Sequence, residues 1–568
     1  LVTANDALVS WPSFLSGLVL SAGIFVIAFL LQNVTDYPFS LGWSEGNRLW
    51  DYSVLFGRRL YDYPADQPIS VLLDIGRQFI GGIPFLLPGL TIFQARLWVA
   101  LTYIIPFLLC GWLTFRLPRG KFILSILAGL WAFTFLQQGP IHPPLILCAI
   151  LVALAWRQPV WLAIPLIMAA SYFAQVSRWT WMFAPGLWII MLEFGSTAQK
   201  GNRPILRDLW RPAVLGLSGF FAGYLLPFLA EVLQNLSITP TAPVVVGGIT
   251  PSVVVGSVGS QALLWYRLLP NATYGNGILV GLMLAVLPLL LVLFYLSNQQ
   301  RWYLNIWQKL ALVLPLLAFL VVGLIISVKI GGGGDLHNMD MFLIGLMFAG
   351  AIAWRNYGHE WILNSEKVPL WLRAVLVAMI IIPAYRSLMT LRPISFAESN
   401  SWVSTLTDVS NPKFLDSLPS DEVIHNSLET IRREVDLAHQ QGGILFMDQR
   451  QLLTFGYLDV PLVPDYDKKV LINNAMSADQ PYFQQFYADL AVHRFALIIT
   501  SPLYTPIKDS SYQFGEENNA WVEWVSNPVL CYYEEKDMLK EVNVQLLVPR
   551  SEPVDCSDQL PLPEELQP

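Results

Sequence analysis

The sequence predicts an α-helical polytopic membrane protein of about 11 transmembrane helices, followed by a soluble α/β domain. Three observations carry that expectation. Of 568 residues, 54% are hydrophobic and only 13% charged, with 21 tryptophans among them, and the mean hydropathy is +0.50. So few charges cannot cover a soluble globule of this size, which excludes a soluble enzyme and a disordered chain. The apolar residues also cluster in runs that approach the ~20 residues a helix needs to cross a bilayer. Finally, the charge is divided. Residues 1–394 hold 23 Lys+Arg against 14 Asp+Glu, a net +9, whereas residues 395–568 hold 11 against 27, a net −16. The chain therefore reads as a membrane domain, 1–394, and a soluble domain, 395–568. Neither half has the basic stripe of a nucleic-acid binder, so membrane lipids are the partner its composition requires.

The first span covers residues 13–32. Without a basic leader or a small-residue cleavage site, it reads as a retained helix. Further spans follow at 96–115, 121–136, 141–156, 160–173, 180–194, 212–233, 277–296, 310–328, 339–354 and 369–385. Orientation comes from the loops. With a cytoplasmic N-terminus, 13 Lys/Arg between Arg116 and Arg373 lie in inside loops, and only Arg178, Arg267 and Lys329 in short outside ones. Basic residues near span ends resist translocation, so an odd number of spans leaves the acidic domain extracytoplasmic. A multi-pass membrane protein follows.

The first outside loop, 33–88, is long for a connection, and long ordered loops usually carry function. At ~100° per residue counted from Glu45, the side chains of Asn47, Arg48, Asp51, Arg58, Arg59 and Asp62 gather within an arc of about 120°, with Leu55 the one apolar residue inside it. Leu49, Trp50, Val54 and Phe56 fall elsewhere. The pattern predicts a helix along the membrane surface, aromatic residues in the interface and charges toward water or a cavity.

That arrangement suits one chemistry. Glycosyl transfer from a phosphate-linked sugar needs a base beside the acceptor hydroxyl and fixed positive charge at the departing phosphate. Glu45 would sit at the outer membrane face, with Arg48 one turn away to orient it. The plainer alternative is a helix-start carboxylate favoured by the dipole. For the phosphate, Arg58, Arg59, Arg178, Arg267, Lys329 and His337 lie near the outer face, each equally readable as an interfacial anchor. Glu231, near the outer end of its span, is a further acid candidate. His142, before Pro143 and Pro144, reads as a helix start. His337 with Asp335 and Asp340 lacks a familiar metal-ligand spacing, so neither a metal nor another cofactor is expected. Residues 331–334 lack the Gly-Lys-Ser/Thr of a phosphate-binding loop.

The run GWSEGNRLWDYSVLFGRRLY at 42–61, after the first span, resembles the GT-C superfamily of polytopic glycosyltransferases. So do QQGPIHPP at 137–144, SRWTWMFAPG at 177–186 and KIGGGGDLHN at 329–338. The resemblance is one of layout over most of the chain, to bacterial members that use polyprenyl-phosphate sugars. It implies a GT-C-like membrane domain, a polyprenyl-phosphate-linked donor, and a paired-acid site whose second acid is Glu45. Ser44 stands where the first acid belongs, so that either a lone carboxylate suffices, or Asp51 or Asp74 supplies the other acid, or activity has been lost. The Trp-Trp-Asp motif of oligosaccharyltransferase catalytic subunits is absent.

In the soluble part, residues 421–441 read as an amphipathic helix capped by Ser420, 443–447 and 495–500 as strands, 481–492 and 521–525 as helices, and 542–548 as extended. Cys531 and Cys556 can pair if this part is outside the cytoplasm, whereas Cys110 and Cys148 sit in apolar runs as packing residues. The domain would bind an acceptor, cover the membrane site or dock a partner. The leading expectation is thus a membrane glycosyltransferase moving a sugar from a polyprenyl-phosphate carrier to an unidentified acceptor at the extracytoplasmic face. The second is a catalytically silent GT-C-like subunit with a docking role in a membrane complex. A transporter comes third, since no internal repeat and almost no mid-span ionisable group is evident.

Overall fold

The computed structural model describes residues 10–64, 69–71, 73–117, 121–196, 206–236, 249–250, 261–298, 302–329, 331–364, 368–391, 394–395, 416–552 and 554–568. Among them, seven helical segments are long and apolar enough to cross a membrane: Trp11–Leu31 (α1), Ile92–Phe115 (α4), Val160–Ser177 (α7), Leu209–Ala230, Gly277–Asn298 (α11), Ile306–Ser327 (α12) and Leu370–Met389. The fourth belongs to Leu206–Phe220 (α9) and Leu226–Leu236 (α10), joined by a π-helical turn. The seventh lies in α15, Leu370–Thr390.

The expected count of about 11 is not met at that length. Residues 121–136, 141–156, 180–194 and 339–354 do form apolar helices, but short ones: Phe122–Leu136 (α5), Pro143–Ala155 (α6), Ala184–Gly195 (α8) and Asp340–Ala353 (α13). At ~1.5 Å per residue, 12 to 15 residues cover only about 18–22 Å of a ~30 Å hydrocarbon core. In two of the runs, Pro143 and the 3-10 turn Trp179–Trp181 with Pro185 mark where regular helix begins.

Local chemistry sets the helix starts. Ser10 accepts from the Ser13 N–H at α1, and Thr91 with Gln94 and Asn305 with Gln308 form reciprocal capping boxes at α4 and α12. Close approach needs small residues: α4 and α5 meet at Gly111 and Gly129, where a methyl on either would strike the facing backbone. Buried Trp131, Trp188, Phe133 and Phe348 fill the bundle core.

The C-terminal part folds around a four-stranded sheet of Gly443–Phe446 (β1), Phe495–Thr500 (β2), Tyr533–Leu539 (β3) and Val544–Pro549 (β4). Its order is β1-β2-β4-β3, with β1 and β2 parallel and the other two pairs antiparallel. One face carries α16, Asp421–His439, whose Ser420 cap accepts from Val423 N–H. The other packs Phe483, Phe486 and Tyr487 of α19, Gln480–Ala491. Cys531 and Cys556 are disulfide-bonded across 25 residues of sequence. Closing a loop of that size stabilises a fold by about 3–4 kcal/mol. Cys531→Ser is therefore expected to lower the melting temperature of the purified protein as much as a reductant does, and an unchanged melt would remove the bond from the stabilising set.

The first loop supplies α2, Glu45–Gly57, and α3, Ile75–Gly82. The expected surface helix forms, and its polar arc is divided: Arg48 is exposed and lines a cavity, whereas other members are covered by protein. Asn47 and Asp51 are fully buried, and Asn47 donates to the Met447 carbonyl at 2.8 Å. Nor does Trp50 lie in an interface: it is enclosed beneath the Arg450 guanidinium at 4.3 Å. The docked domain covers this helix, with Gly46 so close to Gln451 that a side chain there would collide.

Candidate functional site

A cavity of about 1330 Å³ opens where the first loop meets the C-terminal domain. Its membrane-side wall carries Arg48 and Tyr52 of α2, Arg77 of α3, Tyr103 of α4, His142 before α6, and His337. The domain contributes Asp448 and Gln449 just beyond β1, Ser501 just beyond β2, and Lys468 and Lys469. This is the carboxyl end of two parallel strands, where backbone N–H groups and loops commonly receive ligands.

The membrane-side wall is electropositive. Arg77 Nη2 stands 3.4 Å from His142 Nε2. Burial, then Arg77, Arg178, His337 and Arg48, hold the His142 imidazole well below its ordinary range, so it is neutral at pH 7. Arg178 donates to Asn338 Oδ1 at 3.1 Å, lies 3.9 Å from Asp340 and stacks over Trp181 at 5.6 Å. His337 bonds Asp335 at 2.6 Å. Two arginines and two imidazoles thus converge on one cavity wall with Arg178 behind them, a setting that favours a phosphate-bearing ligand.

The sequence expectations fare unevenly here. His337 reaches the cavity, and Arg178 supports it from behind. Arg58 turns away to the Pro64 carbonyl at 3.1 Å and over the Tyr63 ring. Arg59 donates to the Phe56 and Phe85 carbonyls, both at 2.6 Å, so these two brace the loop. Arg267 is fully buried and clamps Glu516 and Glu517 of the domain at 2.8 to 2.9 Å. Lys329 forms a backbone bridge with Leu263 outside the cavity wall. Asp74 starts α3 and contributes to the field at Arg178. Glu231 lies in α10, its side chain outside the described residues.

Glu45 is partnered by neither Arg48 nor the cavity. Arg96 of α4 grips both its oxygens, Nε to Oε1 and Nη2 to Oε2, each at 3.0 Å. The Leu41 N–H donates to Oε2 at 2.7 Å. Arg96 also donates to the carbonyls of Thr35, Tyr37 and Phe39 at 2.6 to 2.9 Å. The carboxylate is thus tied to α4 and to the loop's own backbone.

Asp51 pairs with Lys469 at 3.1 Å. Burial pushes the Asp51 carboxyl up to about 6, with Lys469 only partly offsetting it. A carboxyl whose folded value exceeds its unfolded one favours the folded state below the unfolded value, and that stability disappears as pH rises through the folded one. Docking is therefore expected to weaken by on the order of 2–3 kcal/mol between about pH 4 and 6. A melting curve across that window should show the slope in the parent and lose it in Asp51→Asn; equal slopes would discount the pair.

Sequence reading passed over Arg77, Asp448 and Lys468. Lys468 bonds Asp448 at 2.8 Å, Ser501 Oγ at 2.7 Å and the Trp43 carbonyl at 3.1 Å. The available signal was Asp448 directly after an apolar strand. Among the described residues, no group of three His, Cys, Asp or Glu side chains is placed to hold a metal ion. Comparison with known proteins finds no matching family model and no matching curated relative.

Proposed function

We propose that the protein is a GT-C-like glycosyltransferase that takes a sugar from a polyprenyl-phosphate-linked donor and transfers it to an acceptor at the outer face of the membrane. The single observation that carries the reading is the electropositive cavity at the junction of membrane helices and domain. Arg48, Arg77 and His337 face the donor phosphate there, while Arg178 fixes the wall behind them. As the glycosidic bond to phosphate breaks, negative charge collects on the departing oxygen, and fixed cations favour that state over the ground state. The domain-side loops after β1 and β2 receive the acceptor.

In this reading the four short apolar helices cross with their flanking turns, giving eleven crossings, a cytoplasmic N-terminus and an extracytoplasmic domain in a bacterial plasma membrane. Glu45 serves as base once donor binding loosens its hold on Arg96.

The second reading is the catalytically silent subunit that docks in a membrane complex, and the Arg96 clamp on Glu45 favours it. Both carboxylate oxygens are engaged by that guanidinium and one also by a backbone N–H, away from the cavity. The deciding experiment measures turnover of a polyprenyl-phosphate-linked sugar by the purified protein beside Glu45→Gln. Turnover in the parent, lost in a folded variant, supports transfer with Glu45 as base. Turnover retained in the variant moves the base to another group. None in either supports the silent subunit.

A further inference from the structure

The helices α4, α6 and α13 share a direction. Each starts near the cavity end, α6 at His142 and α13 just after His337, and each runs to the opposite end of the bundle. There they finish on Arg116, Arg157 and Arg355. Arg355 lies over the Trp156 ring at 4.1 Å and Arg157 over the same ring at 4.9 Å. Burial, then Arg157 and Arg116, pull the Arg355 guanidinium down to about 10, the mark of a cation crowded by cations. Its Nε is enclosed and has no hydrogen-bond partner among the described residues.

Elsewhere on this end, cations meet acids. Arg211 grips Glu193 at 2.8 and 2.9 Å, and Lys121 reaches Glu360 at 3.0 Å. Among the described residues, the Arg116, Arg157 and Arg355 side chains form no ion pair with a carboxylate. A membrane's charge asymmetry accounts for arginines at one face, but not for two of them stacked on one indole ring with a third, Arg116, close enough to act on Arg355.

An apolar crevice of about 120 Å³ adjoins this cluster. Its lining includes Phe115 and Trp354, the residues immediately before Arg116 and Arg355, whose rings touch at 6.2 Å. Leu15, Trp131, Leu293 and Met379 complete an apolar slot between α1, α5, α11 and α15.

We propose that Arg116, Arg157 and Arg355 bind the phosphate of an anionic phospholipid headgroup, with one acyl chain lying in the adjoining crevice. The site is separate from the cavity by the length of α6, about 20 Å, and does not depend on the proposed transfer reaction. A phosphate offers the oxygens that the unpartnered guanidinium edges lack.

The test uses the full chain in neutral detergent, titrated with phosphatidylglycerol, with phosphatidylcholine of the same chains, or with inorganic phosphate, and read by native mass spectrometry and melting temperature. Phosphatidylglycerol should bind and stabilise, with affinity falling roughly 5-fold for each arginine replaced by glutamine and about 100-fold for all three. If the triple variant fails to fold, the exposed Arg157→Gln alone gives the single-step loss. Equal protection by inorganic phosphate keeps the anion site and overturns its lipid occupant. Equal binding of both lipids, or undiminished phosphatidylglycerol binding by Arg157→Gln, overturns the proposal.

Discussion

Replacing Arg96 with alanine is expected to cost about 3–5 kcal/mol, the range for breaking one side of a buried ion pair. Arg96 is only 4% exposed, and its guanidinium holds the Glu45 carboxylate and three backbone carbonyls, at Thr35, Tyr37 and Phe39. Alanine leaves all of them without that donor in a region closed to water, where each unsatisfied group carries its own desolvation cost. Because residues 35–45 join α1 to α2, and α2 carries the domain, loosening this strap should free the domain as well. Thermal unfolding in detergent should start far below that of the parent, and protease should cut the first loop while the bundle persists. Glu45→Gln retains an oxygen for the Leu41 N–H and should lose less, ~1–3 kcal/mol. An Arg96→Ala protein that melts with the parent would show that the strap contributes little.

The strap also explains how far the sequence could be read. Long apolar runs depend only on composition and period, so each produced a helix where one was expected, and Ser420, Phe495 and Gly443 marked their elements by local capping and strand patterning. Length was harder. Pro143 and Pro185 sit inside apolar runs and fix where regular helix begins, so residue counts along the run overstated α6 and α8. Partners at long range were not legible at all: Glu45 and Arg96 are 51 residues apart, and Asp51 and Lys469 are 418 apart. A periodic arc of charges signals a polar face without saying whether water or a protein domain covers it. Arg267 shows the same limit, since an isolated cation in an outside loop reads as a phosphate ligand until Glu516 and Glu517 are seen closing on it.

The cavity wall provides the second large effect. In the proposed transfer reaction, Arg77→Ala is expected to lower turnover by roughly 10²–10³-fold, the range for losing one preorganised charge partner of a transition state, and Arg48→Ala should add to that loss. Stability should change little, because Arg48 is exposed and Arg77 half-buried. Lysine at position 77 should recover only part of the rate, since a point charge cannot reproduce a bidentate fork. The variant also has a signature that damage to the fold would not give. After burial, Arg77 is the largest cause holding the His142 imidazole neutral. Without it, His142 takes up a proton at higher pH, and the imidazolium restores positive charge to the wall. Residual donor binding by Arg77→Ala should therefore strengthen as pH falls, more steeply than in the parent, and should lose that slope in Arg77→Ala/His142→Gln. A flat profile in both variants would place the donor phosphate away from this wall.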